Sequence, residues 1–220
     1  TWTKCSIDFA ENGYSIVAVI GSDLFLGIDH GEMGGIFRTS DYGTHWTRMN
    51  NAAGESISRM FDAGRGFLIG QTRSNIAYLS QDAGDHWNVL RIAFASVNAL
   101  IANDSYLYSG TPNGIFFTPD DGETWEAIDY GITENDIVTL SKIGNQICAG
   151  AGLTKAFRLF DNYKWSDCSN GLEWAYSISK FVETDSALYA ATNMGLYRYM
   201  LKDSTWQRVS TDWGMRLMDD

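Results

Sequence analysis

Short runs rich in Val, Ile, Leu, Phe and Tyr recur along this chain, each closed by Gly, Asn, Asp or Ser. Runs of that length and composition, with those breakers, read as β-strands. No segment sustains the spacing of an amphipathic helix. The clearest stretch places strands at 97–101, 106–110, 114–117 and 125–128, with Asn103, Asp104 and Ser105 turning the first into the second. The same layout returns four more times. The pattern predicts an all-β chain of five units, at about 14–55, 56–96, 97–135, 136–175 and 176–215. Each unit holds four antiparallel strands. Residues 1–6 then read as an orphan outer strand in the phase of a fourth strand.

Tryptophan sets the period. Trp2, Trp46, Trp87, Trp125, Trp165 and Trp206 follow one another at spacings of 44, 41, 38, 40 and 41 residues. Ahead of three of them stands the octamer Ser/Thr-x-Asp-x-Gly-x-x-Trp: Thr39, Asp41, Gly43 and Trp46; Ser80, Asp82, Gly84 and Trp87; Thr118, Asp120, Gly122 and Trp125. Glycine there permits a positive φ. The Asp and the hydroxyl can accept hydrogen bonds from the turn's own amides. The Trp opens the next strand and covers its neighbour, and these three Trp are expected to be mostly buried. One fixed carboxylate per copy falls short of the ligand set calcium needs, so the octamer reads as structural and no metal is assigned. The fourth and fifth units keep the Trp without the octamer. Phe160 and Leu201 stand at the Asp position, and Asn162 and Asp203 at the Gly position, where they are expected to supply the left-handed turn.

A period near 40 residues built from four strands is that of a β-propeller, in which each sheet buries its faces against its neighbours. The octamer and its spacing resemble the BNR or Asp-box repeat family over nearly all 220 residues, most strongly over 14–130. The nearest flavour is the bacterial extracellular Asp-box repeat protein. Sialidases, sortilin-type receptors, xyloglucanases and photosystem II assembly-factor propellers share the motif. The resemblance implies a single propeller domain or arc spanning 1–220. It puts the octamer on the hairpin between third and fourth strands, away from the usual ligand face. It also implies an extracellular, periplasmic or cell-surface setting.

Composition narrows the partners. The net charge is −11. Nucleic acid needs a basic field, and no apolar run approaches a membrane span, so neither nucleic-acid binding nor membrane insertion is expected. Cys5, Cys148 and Cys168 are scattered and odd in number, with no zinc spacing and no redox reading. No cofactor is expected. The chain begins at Thr1 without a signal peptide, which fits a mature or excised product as well as any other boundary.

Candidate chemistry lies in the connections between second and third strands, which vary in length. Residues 28–34 carry Asp29, His30 and Glu32, which could bind a metal or serve as acid and base in an otherwise solvated Gly-rich loop. Residues 71–75 carry Arg73, and the loop after the fourth unit's last strand carries Trp174, a candidate for stacking on a sugar or peptide. These five are the candidate ligand residues. His45 and His86 occupy equivalent octamer positions and read as hairpin surface. A sialidase needs an arginine triad and an Arg-Ile-Pro motif. The only prolines are Pro112 and Pro119, and neither follows Arg-Ile. No catalytic carboxylate pair stands out. The expected function is therefore non-catalytic presentation of loops to a protein or glycan partner, with a propeller glycoside hydrolase as the alternative. Five units and an orphan strand leave closure open: either a five-bladed ring, or an arc that self-associates or belongs to a larger propeller.

Overall fold

The computed structural model describes residues 14–29, 34–49, 56–72, 74, 76–90, 96–103, 106–143, 146–152, 154–160, 163–173, 175, 177–184, 187–200 and 202–209. Twenty strands form five four-stranded antiparallel sheets, each with its strands in chain order. Blade 1 is β1 (Tyr14–Ile20), β2 (Asp23–Asp29), β3 (Gly35–Thr39) and β4 (Thr47–Arg48). Blade 2 is β5 (Ile57–Gly64), β6 (Phe67–Thr72), β7 (Ala77–Ser80) and β8 (Asn88–Leu90). Blade 3 is β9 (Ala99–Ala102), β10 (Leu107–Thr111), β11 (Gly114–Thr118) and β12 (Glu126–Ala127). Blade 4 is β13 (Ile137–Ile143), β14 (Gln146–Ala151), β15 (Lys155–Phe160) and β16 (Lys164–Asp167). Blade 5 is β17 (Ile178–Thr184), β18 (Ala187–Thr192), β19 (Gly195–Met200) and β20 (Thr205–Arg208). The protein is a β-propeller. The orphan strand expected at 1–6 lies outside the described residues.

Alternation along each strand sends successive side chains to opposite faces, and both faces of an inner blade meet a neighbour. The core is therefore a series of seams. Phe25 and Ile36 of blade 1 meet Met60, Leu68 and Trp87 of blade 2. Ile69 and Leu79 meet Val97, Leu100 and Leu107. Ile115 and Phe117 meet Ile137, Phe157 and Trp165, and Cys148 and Ala156 meet Phe181, Tyr197 and Trp206. Burying each large side chain contributes about 1.5–3 kcal/mol, so a seam of several such groups holds two blades face to face.

Innermost strands lean on one another in succession, β1 on β5, β5 on β9, β9 on β13 and β13 on β17. Among the described residues no comparable packing joins β17 to β1. On blade 1 the face turned from blade 2 carries Leu26, Ile28 and Phe37, with Trp46 against them. Val17 on that face is 61% exposed, and Val182 of blade 5 is 49% exposed.

The outer hairpins come in two kinds. In blades 1–3 two successive residues are left-handed: Tyr42 and Gly43, Ala83 and Gly84, Asp121 and Gly122. In blades 4 and 5 the turn is tighter, because Phe160 pairs directly with Lys164 and Met200 with Thr205. The expectation that Asp203 would be left-handed needs correcting. Asn162 lies outside the described residues, and Asp203 is not left-handed. Tyr163 (φ 57°) and Ser204 (φ 49°) take that conformation, immediately before the fourth strand. Shortening the hairpin moves the sharp residue one step along. Trp87 is buried, and Trp46 and Trp125 are mostly covered, each with a partly exposed edge. All three precede their strands by one residue, whereas Trp165 and Trp206 lie within theirs.

Candidate functional site

The innermost strands enclose a cavity of about 470 Å³ to which all five blades contribute, including Ala18, Phe61, Leu100, Leu140 and Lys180. It shares Phe61, Asn98 and Val138 with a hollow of about 620 Å³ completed by Arg59, Pro112 and Asp136. Pro112 is on the β10–β11 connection, and Asp136 immediately precedes β13. This mouth therefore opens at the end of the blades where second strands turn into third strands. Its size falls in the range of ordinary ligand pockets.

Polar groups around the mouth are tied from blade to blade. Arg59 Nη1 donates to Val97 O at 3.2 Å and to Asn98 Oδ1 at 3.0 Å. Asn98 Nδ2 donates to Ile137 O at 3.0 Å and to Asp136 Oδ1 at 3.4 Å. The backbone closes the same belt, with Asn98 N donating to Gly110 O and Gly152 N to Asp136 O, each at 2.9 Å. In the amide orientation that satisfies both ends, buried Gln71 donates to Val97 O at 3.0 Å and accepts from Val97 N at 3.1 Å. Three blades are thus linked by a run of cation, carboxamide and anion, with the apolar Phe61, Val138 and Pro112 beside it.

Octamer turns occupy the opposite end of the blades. Ser80 Oγ donates to Asp82 Oδ1 at 3.0 Å and accepts from Gly84 N at 2.7 Å. Asp82 accepts from His86 N at 2.8 Å and contacts its ring Nδ1 at 2.6 Å. Thr39, Asp41 and His45 repeat this arrangement. In blade 3 Thr124 replaces the histidine, and its hydroxyl donates to Asp120 at 2.6 Å. The bond from His45 N, with those from Thr39 and the His45 ring, holds the Asp41 carboxyl far below the usual range. Bonds from Thr118 and Thr124 bring Asp120 down to about 2. For Asp82, desolvation works against ionisation, but the bonds from His86 and Ser80 outweigh it and the net shift is downward. Each carboxylate is consumed by its own turn.

Among the sequence-derived candidates, Asp29 ends β2 on the mouth side of blade 1 but lines neither the cavity nor the hollow. His30, Glu32, Arg73 and Trp174 lie outside the described residues, as does Cys5. Cys148 and Cys168 are free thiols, and burial pushes both up to about 12, which keeps them unreactive at neutral pH. Sequence reasoning missed Arg59, Asn98 and Asp136. They are polar residues near the start of three consecutive first strands, Arg59 two residues into β5 and Asn98 and Asp136 immediately before β9 and β13, and that clustering was the available signal. Among the described residues no helix is long and apolar enough to cross a membrane.

No family model matches the chain, and no curated protein sequence is a match. Solved structures do resemble it. The extracellular domain of the putative hybrid two component system BT4673 from B. thetaiotaomicron superposes with a TM-score of 0.68 at 17% identity, covering 90% of this chain and 27% of that one. YCF48 bound to D1 peptide gives 0.61 at 16% identity over 87% of this chain and 64% of that one. YCF48 from Cyanidioschyzon merolae gives 0.59 at 14% identity over 86% and 68%. The chain therefore spans about a quarter of one relative and under two thirds of another. At these identities the likeness is one of fold.

Proposed function

We propose that this chain is a binding propeller that takes a segment of a protein partner at the channel mouth. The observation that carries the reading is the hollow itself, where few polar groups converge beside apolar walls above a cavity shared by all five inner strands. One structural neighbour is YCF48 bound to D1 peptide, and others are extracellular domains of the putative one component or hybrid two component system BT4673. These support a protein ligand and an extracellular, periplasmic or cell-surface setting. The hydroxyl–carboxylate–glycine–tryptophan turns support placing the octamers in the Asp-box class. Their carboxylates serve as structural acceptors rather than metal ligands. The reading treats 1–220 as one propeller unit.

The test is a panel of short synthetic peptides and a glycan array probed with the whole chain, beside two variants. Val138→Trp fills the hollow, and Val89→Trp alters an exposed outer strand. We expect peptide binding to wild type and to Val89→Trp, and its loss in Val138→Trp. Peptide binding indifferent to Val138→Trp, or retention of glycans alone, overturns the reading.

A further inference from the structure

The order of charge around the mouth specifies more than a peptide. Resting on the reading above, we infer that the mouth selects segments in which an acidic and a basic side chain flank an apolar one. The acid lies toward Arg59 and the base toward Asp136.

Among the described residues, two lysine or arginine side chains away from the mouth pair with carboxylates. Arg38 pairs with Asp23 and Asp85, and Lys155 with Asp167. Acidic residues outnumber basic ones by 27 to 16, so a cation has no shortage of partners. Arg59 nevertheless has no carboxylate partner among the described residues and is engaged through Nη1 alone, on Val97 O and Asn98 Oδ1. Asp136 likewise has no cation, and its side chain takes only the long 3.4 Å bond from Asn98.

Asn98 keeps the two apart. Its Oδ1 accepts from Arg59, and its Nδ2 donates to Asp136 and to Ile137 O. Both amide hydrogens and the oxygen of the carboxamide are engaged, its orientation follows from those partners, and it bridges the charges without letting them meet. Arg59 keeps Nε and Nη2 available for a charge-assisted bond to a carboxylate. Asp136 keeps its second oxygen for an ammonium or guanidinium. Phe61, Val138 and Pro112 wall the same hollow and suit an apolar side chain. Because the Asn98 bond already holds Arg59 in place, less rotamer freedom is lost when a ligand arrives.

The experiment measures fluorescence anisotropy of labelled synthetic peptides with the full chain at low salt. One set has Glu and Lys flanking Leu, in both orders. In the others Glu, Lys or both become Gln. The doubly charged set is expected to bind wild type about tenfold or more tighter than the neutral set, as charged hydrogen bonds imply, with the advantage shrinking as salt rises. Arg59→Gln should erase the gain from Glu alone, and Asp136→Asn the gain from Lys alone. Equal binding of charged and neutral peptides to wild type overturns the inference, whatever the variants do. So does a uniform loss in which each variant weakens every peptide alike. Binding that is sensitive to Val138→Trp but indifferent to charge sinks this inference and leaves the peptide reading standing. Failure of every peptide to bind wild type removes both.

Discussion

Blades 1 and 2 and blades 4 and 5 put a tryptophan in the same place and hold it by different means. The phase is common: the residue three past each Trp returns to the third strand, as in Met49 N to Ile36 O, Ile128 N to Ile115 O, Cys168 N to Ala156 O and Val209 N to Leu196 O. The anchors differ. Trp46 and Trp87 donate their indole N–H to Gly43 O and Gly84 O of their own octamers, at 3.2 and 2.9 Å. Trp165 and Trp206 donate instead to Ile128 O and Cys168 O of the preceding blade, at 2.5 and 2.9 Å. Their backbone amides also reach back, to Tyr130 O and Asn170 O. An octamer hairpin is organised by its own residues, while a hairpin without one borrows its neighbour's backbone. Blade 3 stands between the two, for it keeps the octamer yet its Trp125 Nε1 is buried without a partner.

The borrowed anchor demands close approach. A Cβ at Gly131 or Gly171 would lie 2.1 Å from Trp165 O or Trp206 O, and both glycines have φ near +95°. Gly171→Ala should therefore be among the most damaging changes in the series, at about 3 kcal/mol or more. Gly66→Ala, at φ +81° with nothing within 4 Å, should cost only about 1–2 kcal/mol for the left-handed backbone. Equal losses in urea titrations of the two variants would break the comparison.

Truncating the ring sharpens it. Trp165→Ala and Trp206→Ala remove side chains only 1% and 2% exposed and should cost about 3–5 kcal/mol each. Trp46→Ala, at a partly exposed site with a local anchor, should cost less in the same titration. Next comes the turn. Ser80 is fully buried and its hydroxyl serves both Asp82 and Gly84 N, so Ser80→Ala should cost about 1–2 kcal/mol. Hydrogen exchange should show the loosening confined to blade 2. Spread into blade 3 would contradict the autonomy of the octamer.

The smallest effect is a pH dependence. The hydrogen bond that the His86 ring donates to Asp82, and then the charge of Asp82, raise the His86 imidazole above 6.5. Its contribution is complete below 6.5 and disappears as pH rises through the raised value. Asp120 has no histidine and is lowered to about 2 from 3.8, so its contribution is present above 3.8 and disappears as pH falls toward about 2. The melting-temperature advantage of wild type over His86→Gln should be greater at about pH 5.5 than at about pH 9. Thr124→Ala should show no such trend across that interval.

The fold was legible because its signals are local. Alternating apolar runs, the Trp period and the octamer's turn chemistry each lie within a few residues, and the all-β propeller follows from them. The indole anchors of blades 4 and 5 were not, because their acceptors are backbone carbonyls, which every residue carries. A trace was nonetheless there. Gly131 and Gly171 each stand six residues after a Trp, at Trp125 and Trp165, and the matching positions after Trp46 and Trp87 are Ala52 and Ala93. The glycine occurs only where the next unit lacks the octamer. The mouth was harder still. Loop-length variation drew attention to residues 28–34 and 71–75, whereas Arg59, Asn98 and Asp136 come together only because three first strands converge on one axis.

That trace bears on how such an array can be rearranged. An octamer hairpin carries its own fastening, so a unit like blade 2 can be copied or moved and still close its turn. Blades 4 and 5 are fastened to what lies before them, and the fastening requires a glycine in the preceding unit. Cut between blades 3 and 4, and the second piece loses the carbonyls on which Trp165 hangs; join blade 4 to a unit ending like blade 2, and Ala93 stands where only glycine fits. The first part of the chain is built of interchangeable parts, and the last part can be inherited only in order.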